Sequence, residues 1–423
     1  MMKRFAAILI LAVLALPATA RKVVPPGKRG MDPERLALVD GVIEEAISEG
    51  SIPGCVLSVV RGNDIVYLKA YGNKSVTPEA EPMTTETMFD LASCSKIMGT
   101  TLSFIQLIED GKVCLADNVN QYIPDFKPWT DPNTGEKVHI TIRHLLTHSS
   151  GLASYVNVKK FVAEFGENAA DSLEIVIATR VKRYFRPGTD FKYSCLNFVT
   201  LQMILERVTG QRLYEYAHEN VFAPLGLKHT CYFPLDASLP PLKDVDYSAL
   251  IKLCAPTELQ DDGLPLVARV HDPIARRIMS GNSGNAGLFS NAEDLSEMCS
   301  AIMNLGTLRA KKGGRLVNGR ILSPLTVRMM TTIPEENEAK VGRALGWDKK
   351  SGHATNFGDI FDKNTTIGHT GYTGTSVLID MKTRTAVILL ANRVHPEDKH
   401  KSNVNQLRSK VADIVASSLI QVD

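Results

Sequence analysis

The chain has 423 residues, 44% of them hydrophobic and 22% charged, enough to bury a sizeable core as one large domain or two or three small ones. Its formal charge of +2 vanishes once the first twenty residues, which hold Lys3 and Arg4 and no acid, are set aside. That balance excludes the electrostatic footprint of a nucleic-acid binder or of a protein held on an acidic membrane surface, and fits a small, locally selected ligand.

Residues 1–20 combine a basic start ("MMKR"), an apolar run ("FAAILILAVLALP") and a small-residue end ("ATA"). This is the pattern of a signal peptide and predicts an exported protein, periplasmic or secreted. The run is too short to span a bilayer comfortably and no cysteine follows it for lipid attachment, so no stable membrane insertion is expected after its removal. Residues 21–31 read as a linker. From Asp32, "DPERLALVDGVIEEAISEG" offers an N-cap aspartate, Pro33 at the first helical position and apolar residues at helical spacing.

"GCVLSVVRGNDIVYLKAYG" then shows two β-branched and aromatic runs around a turn, a hairpin pattern. "GTSVLIDMKTRTAVILLANR" repeats it near the far end, and residues 403–420 form a last amphipathic stretch. This order predicts an α+β fold: one antiparallel sheet flanked by helices and built from both ends of the chain, about 32–111 and about 346–423. The segment between them, about 112–345, reads as an inserted, mainly helical lobe, so that 32–423 forms one catalytic domain.

The seven cysteines, Cys55, Cys94, Cys114, Cys195, Cys231, Cys254 and Cys299, leave at least one thiol unpaired. No C-x-x-C occurs, which argues against a redox motif or zinc ribbon. Most read as small apolar fillers, with one or two disulfides left open.

In "FDLASCSKIMGT", Ser93 is the only serine of the chain with a lysine three residues on. At that spacing a helix brings the two side chains together, and a serine needs such a base to become a nucleophile. A lysine serves only where its surroundings favour the neutral amine. The helix start also aims N–H groups at an oxyanion formed beside the serine. The plainer alternative is a helix cap with Lys96 in water.

Two further elements follow in order: "FKYSCLNF", with Tyr193, Ser194 and Cys195, and "GHTGYTGTS", with His369, Thr370 and Gly371. Together they resemble the S-x-x-K, Y-x-N and K-T-G set of penicillin-binding proteins, class C β-lactamases and related serine esterases. "ITIRHLLTHSSGL", "FRPGTDFKYS", "FAPLGLKHT" and "NAGLFSNAEDL" extend the resemblance over about residues 32–420.

The resemblance implies that fold and an acyl-enzyme mechanism without metal or organic cofactor. Ser93 would attack a carbonyl, Lys96 would accept or relay its proton, and Tyr193 would serve the leaving group and the incoming water. The backbone N–H groups of Ser93 and Tyr372 would bind the oxyanion. Cys195, His369, Thr370 and Gly371 would line the substrate site. Structural alternatives stand beside these roles: Tyr193 as a core aromatic, His369 as a strand residue, Gly371 as a turn glycine.

Two positions depart from β-lactamases. Cys195 stands where an amide side chain belongs, with Asn197 two residues away, and His369 stands where a lysine belongs. Both weaken the case for a true β-lactamase and leave acyl transfer intact, so a small ester, amide or D-amino-acid peptide is the expected substrate, with a non-water acyl acceptor open. A cell-wall D,D-peptidase, a true β-lactamase and a catalytically silent binding protein are the rivals.

Three smaller candidates remain. Arg393 could hold a substrate carboxylate or be solvated. His144 and His148 lie one helical turn apart, without the glutamate of H-E-x-x-H, and read as structural rather than zinc-binding. His271 and Asp272 could pair beside the cleft or cap a loop. No G-x-S-x-G elbow, G-x-x-x-x-G-K or G-x-G-x-x-G occurs.

Overall fold

The computed structural model describes residues 23–421 apart from 238, 313–314, 336–339, 353 and 399–401. The predicted signal peptide lies outside the described residues. Asp32 caps the first helix, Pro33–Ala37, by accepting from the N–H groups of Glu34 and Arg35, with Pro33 at its first turn. The stretch then breaks at Leu38 and restarts as Val39–Ser48, two helices where the periodicity suggested one. The part of the linker that is described is fastened down: Met31 is fully buried and Arg29 pairs with Asp64 at 2.6 Å.

The main sheet has six antiparallel strands in the spatial order Thr366–Thr370, Ser376–Asp380, Thr385–Ala391, Gly54–Arg61, Asp64–Ser75 and Glu81–Pro82. The two chain ends meet where Cys55 faces Ala391 and Arg61 faces Thr385. Gly54–Arg61 is buried along nearly its whole length, which explains its continuous apolar sequence: both faces of the sheet are covered.

Alternate residues serve the two faces. Val56, Val60, Ile388 and Leu390 join the larger core, under the middle of the chain, while Leu57, Val59, Val387 and Leu389 pack against Val39, Ile43, Val411 and Val415 of the terminal helices. Each such side chain contributes about 1.5–3 kcal/mol when fully buried, so a one-residue slip would lose both faces at once.

The middle of the chain is organised around the helix Cys195–Thr209, ten of whose residues are buried. It is not purely helical. Cys231–Tyr232 and Leu288–Ser290 form a second sheet with Phe89–Asp90, and Thr307–Lys312 pairs with Arg315–Arg320. The strands of that second sheet, two or three residues each, are too short to show a period of two, which is why the sequence reading missed them. All seven cysteines are free, six of them buried or partly buried and Cys114 exposed.

Candidate active site

The strand Phe89–Asp90 delivers the chain to the cleft. Asp90 is buried and shapes the turn that follows: its carboxylate accepts from the N–H of Ala92 at 2.8 Å and from that of His271 at 2.7 Å. Ala92 is held at φ +45°, an uncommon value for a side-chain-bearing residue. A 3-10 turn, Ala92–Cys94, then leads into a π-helical segment, Lys96–Thr101, before regular helix resumes over Leu102–Glu109. The single-helix geometry assumed for Ser93 and Lys96 is thus replaced by tighter and wider turns, of the kind frequent at functional sites. The outcome expected of the spacing survives, with Lys96 Nζ 3.0 Å from Ser93 Oγ.

Lys96 is fully buried, which removes the solvated-lysine alternative. Its ammonium has three donors, and its acceptors include Ser93 Oγ, the carbonyl of Asn285 at 2.7 Å and Cys195 Sγ at 3.6 Å. Burial alone would press the amine toward neutrality. The sulfur of Cys195 and the phenol of Tyr193 more than offset it and hold Lys96 above its ordinary value. Burial pushes the Tyr193 phenol up in turn, with Lys96 pulling the other way; the ammonium donates to the phenol oxygen, which is also hydrogen-bonded to Ser93. Serine, lysine and tyrosine are thus joined in one hydrogen-bonded network.

Tyr193 reaches this network because it lies just before the helix Cys195–Thr209 and is backed by a buried histidine. The His148 ring packs, tilted, at 4.5 Å from the Tyr193 ring. Its Nδ1 accepts from the N–H of Ser194 at 3.1 Å and lies 3.1 Å from Asn197 Nδ2, while Asn197 Oδ1 accepts from Ser150. Asn197 is therefore a brace behind the tyrosine and does not stand in for the amide missing at Cys195. His144 turns elsewhere, its Nδ1 accepting from the N–H of Thr141, so the two histidines share no ligand.

The opposite wall is the strand Thr366–Thr370 and the turn after it. Ser93, Tyr193, His369, Thr370, Gly371 and Tyr372 all line one cavity of about 490 Å³, with Lys96 and Cys195 beneath it. Thr373 Oγ1 donates to the carbonyl of Asp90 and Thr375 Oγ1 to that of Leu91, which ties this wall to the segment leading into Ser93. Gly371 is explained by that packing. A Cβ there would lie 2.4 Å from the Leu91 carbonyl and 2.1 Å from Thr375 Oγ1. His369 donates from Nδ1 to the carbonyl of Thr370 at 2.9 Å, its ring 6.0 Å from that of Tyr193.

Arg393 is neither solvated nor open to a ligand on all sides. It pairs with Asp398 at 2.8 Å, donates to the Tyr372 carbonyl and lies 4.5 Å over the Tyr372 ring, whose hydroxyl also bonds Asp398. His271 and Asp272 do not pair. His271 meets Glu258 at 3.1 Å and stacks on Tyr372, while Asp272 accepts from Tyr155 and from the N–H of Ala275, the capping role.

Sequence reasoning did not find Asp90, Asn285 or Arg408; His148, expected to be structural, is buried behind Tyr193. Arg408 is 5% exposed and lines the cavity; it donates to the carbonyls of Gly371 and Thr375 and to Asn405 Oδ1. Burial pushes its guanidinium down to about 10, and no carboxylate among the described residues pairs with it. A signal existed: Val404, Leu407, Arg408, Val411, Ala412 and Val415 form the buried stripe of the helix Val404–Ser417, so a cation sits on an apolar face.

Comparison with known proteins agrees with this geometry. The sequence pattern of the beta-lactamase family matches residues 39–411. A protein of Escherichia coli (strain K12) named "Putative D-alanyl-D-alanine carboxypeptidase" is 32% identical over 410 residues, covering 91% of this chain and 88% of that protein. One of the same name from Salmonella agona (strain SL483) is 31% identical over 420 residues, covering 93% and 91%. Among solved structures, EstCE1, described as a hydrolase with promiscuous acyltransferase activity, superposes with a TM-score of 0.66 at 23% identity, over 90% of this chain and 99% of that one. Simvastatin synthase from Aspergillus terreus does so with a TM-score of 0.64 at 19% identity, over 92% and 99%. The chain belongs to the beta-lactamase family, within the superfamily of serine β-lactamases and penicillin-binding proteins, and is a serine hydrolase.

Proposed function

We propose that Ser93 forms an acyl-enzyme with a small ester, amide or D-amino-acid peptide that carries a free carboxylate near the bond cleaved. The observation that carries the carboxylate is Arg408, a buried guanidinium without an acidic partner among the described residues, lining the same cavity as Ser93. Lys96 takes or relays the serine proton, Tyr193 protonates the leaving group and later directs water, and the N–H groups of Ser93 and Tyr372 face the oxyanion. Thr370 and His369 orient the substrate from the strand side, with Gly371 keeping the two walls close. Cys195 gives the substrate's amide only a weak partner.

The names of the E. coli and Salmonella relatives favour a peptide; the description of EstCE1, a hydrolase with promiscuous acyltransferase activity, keeps transfer to acceptors other than water in view. Export to the periplasm or medium is part of the same reading and rests on the character of residues 1–20. The test is a panel of short nitrophenyl esters, a D-Ala-D-Ala peptide with free or amidated C-terminus, and a chromogenic cephalosporin. Turnover of ester and free-acid peptide, lost in Ser93→Ala, is expected. Preference for the amidated peptide removes Arg408 from the account, preference for the cephalosporin makes this a β-lactamase, and activity surviving in Ser93→Ala refutes the acyl-enzyme.

A further inference from the structure

Away from Ser93 lies a second groove, of about 540 Å³, whose lining includes Glu167, Asn168, Asp261, Arg269, Arg276 and Arg277. Three arginines converge there in a chain whose bases and acids nearly balance. They come from two neighbouring pieces of chain: Arg269 from the loop before His271, and Arg276 and Arg277 from the segment Ile274–Ile278, which Asp272 caps. The facing wall is the turn at Glu167 and Asn168, fastened by the N–H of Asn168 donating to the Arg277 carbonyl.

The three differ in what they already hold. Arg277 is spent on Glu167, reaching it with Nε at 2.9 Å and Nη2 at 2.7 Å. Arg276 is half-buried and aimed by two backbone carbonyls, those of Val270 and His271, which accept from its Nη1. Arg269 is exposed. Among the described residues neither Arg269 nor Arg276 has a carboxylate partner, and Asp261 pairs with none of the three. Burial, with Arg269 and Arg277 beside it, presses the Arg276 guanidinium below its ordinary value, and the carboxylates of Asp272 and Asp90 offset this only in part.

The backbone around the groove is held in place at some strain. Ala268 and Ser280 sit at φ +52° and +55°, and Ser280 Oγ bonds Asn168 Oδ1, which itself sits at +55°. Side-chain-bearing residues keep such values where their surroundings over-determine them, and such places cluster at ligand sites. With Oδ1 engaged by Ser280, Asn168 also lines the groove.

We propose that this groove is a second, non-catalytic site that binds an oxyanion, a carboxylate or a phosphate group, through Arg276 and Arg269. The planar fork of a guanidinium matches either group, and its aim by backbone carbonyls lowers the cost of ordering it. The site is independent of the acyl-enzyme reading, because none of its residues lines the Ser93 cavity.

The test is calorimetric titration of the full chain with inorganic phosphate and, separately, with succinate at low ionic strength, repeated on Arg269→Gln, Arg276→Gln and Ser93→Ala. Saturable binding is expected in the wild type and in Ser93→Ala, weakened about tenfold in each arginine variant, the loss of one charge-assisted bond pair. The better of the two probes names the anion. Arg269 is exposed, so its variant folds; unchanged melting temperature verifies this. Absence of saturable binding by both probes, or equal affinity in wild type and both arginine variants, overturns the proposal. Loss of binding in Ser93→Ala alone places the anion in the catalytic cavity and overturns it too.

Discussion

Replacing Tyr193 by phenylalanine separates the ring from its hydroxyl. The ring packs on His148 at 4.5 Å and lies 5.1 Å from Lys96 Nζ, and both contacts persist in the variant. What disappears is the phenol bonded to Ser93 and Lys96. Loss of those bonds costs about 1 kcal/mol of stability, since a net hydrogen bond is worth about that much. Loss of a positioned proton donor and acceptor costs far more in rate, about a hundredfold to ten-thousandfold, or roughly 3–5 kcal/mol of barrier. The pH dependence adds a signature that a structural tyrosine would not give. The cluster must lose a proton to generate the serine nucleophile, and Lys96 is held above its ordinary value in part by the phenol. Wild-type kcat/KM therefore rises toward alkaline pH, and in Tyr193→Phe the rise begins at lower pH. The assay is kcat/KM for a short nitrophenyl ester across pH, with melting temperature as the fold control. A rate within about threefold of wild type at equal stability refutes the assignment, as such a change is far below one proton transfer's worth.

Burial presses His144 down to about 4 from the usual 6.5. The unfolded chain then takes up a proton first as pH falls, so this contribution to stability is complete above about pH 6.5 and drains away toward pH 4, by about 3 kcal/mol at most. Asparagine at 144 keeps an acceptor for the Thr141 N–H and does not titrate. Urea unfolding at pH 7.5 and 4.5 is expected to show a smaller acid loss in His144→Asn, and an equal loss in both proteins rejects the assignment. Gly371→Ala sets a methyl group against the Leu91 carbonyl, which belongs to backbone and cannot swing aside. About 1–3 kcal/mol of destabilisation is expected, together with a fall in kcat/KM as the two walls separate; an unchanged melting temperature contradicts that packing.

What could be read from the sequence was local. Asp32 and Pro33 announce a helix start, the runs on either side of "RGND" announce a hairpin, and the spacing of Ser93 and Lys96 announces contact, because each pattern acts over a few residues. The order of the three motifs also carried the family, which 39–411 bears out. The strand Thr366–Thr370 was not read as an element of its own, beyond His369 as a strand residue, since "TIGHT" alternates too briefly and gains its place only by pairing with Ser376–Asp380.

The state of Lys96 was decided by tertiary structure alone. Its second oxygen partner lies 189 residues away, on Asn285, and its third on Cys195 across the cleft. The same holds for Asn197, four residues after Tyr193 in sequence yet bound to His148 behind it, and for Arg408, which closes the turn at Gly371 from the far end of the chain. A side chain's protonation and aim depend on which dipoles and charges share its low-dielectric surroundings, and those neighbours are chosen by the packing of the whole chain.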